Sequence, residues 1–120
     1  MSDQRQRIGR WGEEHAARYL QERGYVILER NLRTPHGEID ILSRKDDLLV
    51  FVEVKTRSST TFSYPEQAVT PRKQMHMLAA AEAYFEGHPD SSDTWQFDVI
   101  AIERKPGEEP EIVHFENVIG

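Results

Sequence analysis

Asp40, Glu53 and Lys55 carry the densest chemistry in this sequence. Asp40 lies in the alternating run Glu38–Arg44 (EIDILSR), with Ile39 and Ile41 expected on one strand face and Glu38 and Asp40 on the other. Glu53 and Lys55 sit two apart at the end of Leu48–Lys55 (LLVFVEVK), so they share a face opposite Val52 and Val54. A tight turn at Lys45-Asp46-Asp47 makes the two runs an antiparallel hairpin and sets Asp40 opposite Glu53. Directly opposed residues have Cβ atoms about 5 Å apart. Two carboxylates that close repel each other and are costly to bury, and a hard divalent cation between them resolves both problems. Mg²⁺ uses one or two carboxylates and completes its shell with water and substrate phosphate. Lys55 could then hold an attacking water or stabilise developing phosphate charge. The plainer alternative is a same-face Glu53–Lys55 ion pair with Asp40 solvated. Against it, LLVFVEVK reads as a buried strand, and charges at its end need partners.

Other residues border this pair. Glu13 shares a helix face with Ala16 and Leu20, next to the core-facing stripe, whereas Glu14 is placed to pair with Arg18 on the outer face. Glu13 either reaches the carboxylate pair or simply suits the positive end of its helix. Glu38, one strand repeat before Asp40, is either an accessory ligand or a cap on the turn at Gly37. Lys73 falls in the first turn of a helix, where the macrodipole favours an acid, which suggests an anionic partner such as phosphate; the alternative is a solvated lysine. The histidines (15, 36, 76, 88 and 114) show no metal-ligand spacing and read as surface or core residues. A Gly-rich phosphate loop and a GxSxG elbow are both absent.

The elements that must position these residues follow from periodicity and stop signals. A helix is expected over 8–22, with Ile8, Gly12, Ala16, Tyr19 and Leu20 as its stripe and Gly24 ending it. Tyr25–Leu28 is β-prone, and Thr34-Pro35-His36-Gly37 is a turn. Residues 56–69 read as a loop. A second helix starts from Thr70 as N-cap and Pro71, and runs to about Glu86 with Met75, Leu78, Ala79 and Phe85 as its stripe. Gln96–Glu103 alternates through Phe97, Val99 and Ala101, and Ile112–Phe115 is expected at a sheet edge. The segment from Ile112 through Ile119 either pairs between subunits or covers the chain's own core. The order α-β-β-β-α-β-β implies an α/β fold, a central mixed sheet flanked by helices, with a strand–helix–strand crossover onto a meander.

Composition bounds the function classes. At 120 residues the chain suits one domain, 1–120. It has no cysteine, which excludes disulfides, thiolate metal sites and a cysteine nucleophile. The absence of cysteine also fits a reducing compartment, and a cytoplasmic location is expected. No apolar run approaches membrane-spanning length, so no membrane association is expected. The net charge of −6 is unevenly spread. Residues 1–81 hold 13 Lys/Arg against 11 Asp/Glu, while residues 82–120 hold 2 against 10. A polyanionic partner for the first two-thirds is therefore compatible with the overall acidity.

Glu38-Ile39-Asp40 followed by Val52-Glu53-Val54-Lys55 resembles the motif of the PD-(D/E)XK nuclease superfamily, with Ile39 where the motif name has proline. The chain more closely resembles the YraN family of small bacterial proteins over about residues 8–103. The match runs through Gly12-Glu13, Gly37–Ile41, Val50–Arg57, Ala68-Val69 with Lys73, and Phe97-Asp98-Val99. This resemblance implies a restriction-endonuclease-like fold and a metal-dependent phosphodiester hydrolase. It implies that Asp40 and Glu53, with the Val54 carbonyl, hold Mg²⁺ or Mn²⁺, and that Lys55 is the catalytic lysine. Similarity to archaeal Holliday-junction resolvases adds Glu13 to the site. Arg10, Arg33, Arg57, Arg72 and Lys73 are the candidates for backbone phosphates, which give affinity without sequence choice. The expected substrate is DNA, favoured over RNA, recognised by structure or without specificity. A nuclease cutting both strands symmetrically is expected to form a homodimer. Two other readings stay open: a nucleic-acid-binding protein that cleaves little alone, and a protein-interaction module using the acidic C-terminal region.

Overall fold

The computed structural model describes residues 2–57, 70–91 and 94–119, with side chains from Arg7 onward. Most of the expected 56–69 loop lies outside the described residues, as does the matched pair Ala68-Val69. Helix α1 (Ser2–Glu22) leads into strands β1 (Val26–Thr34), β2 (Gly37–Lys45) and β3 (Leu48–Arg57). Helix α2 (Pro71–Gly87), β4 (Thr94–Glu103) and β5 (Glu111–Phe115) follow, in the order read from the sequence. The strands lie side by side in chain order in one mixed sheet. Only the β3–β4 pair is parallel. That pair needs a crossover, which α2 supplies.

The helices cover opposite faces of the sheet. Ala16, Ala17 and Leu20 of α1 pack with Ile41, Val50, Val52, Ile100 and Ile102. Met77, Ala80, Ala81 and Tyr84 of α2 pack with Leu42, Leu49, Phe51, Phe97 and Val99. Strands β3 and β4 are thus buried on both faces, which explains their nearly continuous apolar runs. Val118 and Ile119 pack against the α2-side cluster, and Val118 N donates to Phe97 O at 2.8 Å, so the C-terminal segment covers the chain's own core. Asp98, fully buried, pins that segment: it accepts from Asn117 N (2.9 Å), Gln96 Nε2 (2.9 Å) and His114 Nε2 (2.7 Å).

Four expectations need correction. The buried stripe of α2 is Met77, Ala80, Ala81 and Tyr84, while Met75 and Leu78 face outward. This helix is apolar around much of its circumference, so two stripes compete, and the small pair Ala80-Ala81 lets the backbone approach the sheet. Ile39 and Ile41 do not share a face: Ile39 belongs to the α2-side cluster and Ile41 to the α1-side cluster. The strand is irregular between them. The β1–β2 register skips the Asn31–Asp40 pair, and Asn31 adopts the left-handed φ of 54°. Strand β1 extends well past Leu28 because pairing with β2, not apolar alternation, defines its exposed half. Glu14 pairs with Arg30 of β1 at 3.1 Å instead of with Arg18, since α1 lies against β1 at that point.

Gly12 marks the closest approach of α1 to the sheet. A Cβ there would stand 2.0 Å from Thr56 Oγ1 and 3.2 Å from Thr56 Cβ. Gly12→Ala is expected to destabilise the protein by about 1–2 kcal/mol, because overpacking outweighs the gain in helix propensity. Urea denaturation checks this, and the added substitution Thr56→Ala should recover part of the loss.

Candidate functional site

The ladder between β2 and β3 ends at Ile41↔Val52, with the turn centred on Asp46-Asp47 as the sequence implies. Beyond that pair the strands separate, and Asp40 sits in the fork. Its Oδ2 accepts a hydrogen bond from Val54 N at 2.8 Å, so a carboxylate takes the place of the next ladder bond. Glu53, one residue before Val54, pairs through Oε1 with Lys73 Nζ of α2 at 2.5 Å. Its side chain is 15% exposed, and Oε2 is buried with no hydrogen-bond partner among the described residues. An unsatisfied buried carboxylate oxygen is costly and calls for a ligand.

Burial raises the Asp40 pKa from the ordinary 3.8 to about 6. The Val54 N–H opposes this, while the charges of Glu13, Glu53 and Glu38 push further upward. Glu13 is also raised, chiefly by burial, against a hydrogen bond from the Asn31 side chain and the charge of Arg30. Four acids from three elements, α1, β2 and β3, are thus brought within electrostatic reach of one another. Asn31, left-handed where the β1–β2 pairing skips Asp40, opposes the rise in the Glu13 pKa.

Glu38, Asp40, Glu53 and Lys73 line one cavity of about 110 Å³, floored by Val52, Phe97 and Ala80. The cavity has room for a hydrated ion or a phosphate group. His36 and His76 line it too. From the sequence both read as surface or core residues without a site role. The available signals were the turn position of His36 before Glu38 and the spacing of His76 one helical turn after Lys73. Lys55 lies two residues beyond Glu53, opposite Ala101, and lines no part of the cavity. Arg10, Arg33, Arg57 and Arg72 do not line it either. Arg33 instead lies 3.8 Å from Glu38 at the hairpin end. Arg72 shares the first turn of α2 with Lys73.

A family model described as "Uncharacterised protein family UPF0102" matches residues 12–102. The chain belongs to the UPF0102 family. A UPF0102 protein of Syntrophomonas wolfei is 53% identical over 79% of this chain and 83% of its own length. One of Syntrophotalea carbinolica is 47% identical over 96% and 93%. Among solved structures, Pyrococcus furiosus SfsA in complex with Ca²⁺ matches at 13% identity over 84% of this chain and 58% of its own. Its TM-score is 0.33, too low to carry an argument. No helix among the described residues of this UPF0102 chain is long and apolar enough to cross a membrane.

Among the described residues, no group of three or more His, Asp or Glu side chains is arranged to hold a metal ion. The candidate donor set of the chain is therefore the pair Asp40 and Glu53. Two carboxylates suffice for Mg²⁺ when water and phosphate complete its shell. The partnerless Glu53 Oε2 fits that role.

The raised Asp40 pKa has a thermodynamic consequence. Asp40 binds its proton more tightly folded than unfolded, so its contribution to stability falls as pH rises from about 4 to about 6. Asp40→Asn removes the charge and keeps an acceptor for Val54 N. In EDTA at pH 7 this variant is expected to be more stable than wild type by about 1–2 kcal/mol, with a flatter pH profile between 4 and 6. Urea unfolding across that range checks both.

Proposed function

We propose that this UPF0102 protein is a divalent-metal-dependent nuclease that hydrolyses phosphodiester bonds in DNA by structure or without sequence preference. The observation that carries this reading is the fork itself: a half-buried carboxylate pair lining one cavity, with Glu53 Oε1 in contact with Lys73 and Glu53 Oε2 without a partner among the described residues. The PD-(D/E)XK resemblance supplies the reaction class. In this reading Asp40 and Glu53, with the Val54 carbonyl, hold Mg²⁺ or Mn²⁺. A divalent ion bound there lowers the pKa of a water and polarises a phosphoryl oxygen. Lys55 orients the nucleophile. Glu13 adds a further acid at the α1 side of the fork. Lys73 engages a backbone phosphate at the cavity, and Arg10, Arg33, Arg57 and Arg72 engage phosphates around it.

The test compares wild type with Asp40→Asn, Glu53→Gln and Lys55→Ala on labelled duplex, single-stranded and four-way-junction DNA, with RNA controls. Wild type should cut in Mg²⁺ or Mn²⁺ and not in EDTA. Each variant should lose about a hundredfold or more in rate while still binding the substrate. Folded wild type that binds DNA and cuts nothing in any metal would replace the nuclease reading with a nucleic-acid-binding one.

A further inference from the structure

Lys73 is in an electrostatically poor place for its own helix. It is the third residue of α2, its amide donates to the N-cap Thr70 Oγ1 at 3.2 Å, and the first turn contains no acid. The helix macrodipole puts about half a positive charge at this end. The ammonium leaves the helix and pairs with Glu53 Oε1 on the sheet. Two asymmetries follow. Lys73 is 40% exposed whereas Glu53 is 15% exposed, so water can take the ammonium back at little cost but cannot take the carboxylate. Lys73 also pairs with only one oxygen of Glu53, and the second stays without a partner among the described residues.

We propose that Lys73 is the resident counter-ion of Glu53, occupying Oε1 until a divalent cation displaces it, after which the freed ammonium captures a non-bridging oxygen of the incoming phosphodiester. This inference rests on the nuclease reading and adds the order of events. The lysine and the divalent ion compete for the same carboxylate, so each lowers the affinity of the other in the free protein. The competition ends when phosphate arrives, because the displaced ammonium then has an anion on the same cavity wall. His76, one turn further along α2, faces the same space. Metal binding thereby converts an internal ion pair into a substrate contact, and the site remains charge-compensated in both states.

Mn²⁺ titration followed by the electron paramagnetic resonance of the free ion tests this on wild type, Lys73→Gln, Lys73→Arg and Asp40→Asn. Removing a competitor of partly exposed ion-pair strength should tighten Mn²⁺ binding by about fivefold in Lys73→Gln, while Lys73→Arg stays near wild type. In parallel, the acetylation rate of Lys73 in wild type, read by mass spectrometry, should rise severalfold on adding Mg²⁺ and should not respond in Asp40→Asn. Equal or weaker Mn²⁺ binding by folded Lys73→Gln, with binding abolished in Asp40→Asn, overturns the counter-ion exchange and leaves the nuclease reading intact. Mn²⁺ binding unaffected by Asp40→Asn removes the metal from the fork and overturns both.

Discussion

The site depends on one substitution of bonding partners: the carboxylate of Asp40 takes the Val54 N–H that a strand carbonyl would otherwise take. The β2–β3 ladder stops at Ile41↔Val52, and the backbone group released by the fork is satisfied by a side chain. This single bond fixes Asp40 against β3, one residue from Glu53, and opposes the rise in its pKa. Without it, a buried carboxylate beside three others would have only repulsive neighbours. The fork is therefore a structural joint and a charge-storing device together.

The two helices exert opposite influences on that joint. Helix α1 comes close through Gly12, where no side chain intervenes before Thr56, and brings Glu13 to the acidic cluster. Helix α2 comes close through Ala80 and Ala81 and brings Lys73 to Glu53. Small residues at both approaches let charged side chains meet where β2 and β3 part inside the sheet. The charge arrangement is thus set by packing: apolar burial fixes the helix positions, and the ionic groups are carried along.

Two acids of β4 that do not line the cavity show that the acidic C-terminal third is not wholly a solvated surface. Asp98 and Glu103 are buried in β4. Asp98 spends its oxygens on Gln96, His114 and Asn117, tying the last residues to the sheet. A buried carboxylate with this many donors is a structural anchor, in contrast to Glu53, whose second oxygen has none among the described residues.

Element order, the hairpin register about Asp46-Asp47, the Thr70 cap and the Asp40–Glu53 proximity were legible in the sequence. Each is set by local chemistry: alternation, turn residues, capping and a strand period of two. Sequence could not show which stripe of α2 would be buried, since both had helical spacing and only the fit of Ala80-Ala81 to the sheet chose between them. Nor could it show that Ile39 and Ile41 part company, because that follows from the left-handed Asn31 on a neighbouring strand. The Lys73–Glu53 pair joins residues twenty positions apart whose meeting requires the crossover helix to lie across the sheet. Side-chain types and periods are properties of short segments, so the sequence alone determined the candidate acids. Which cation balances them, and which oxygen is left bare, depends on how separate elements pack, and only the tertiary structure decided that.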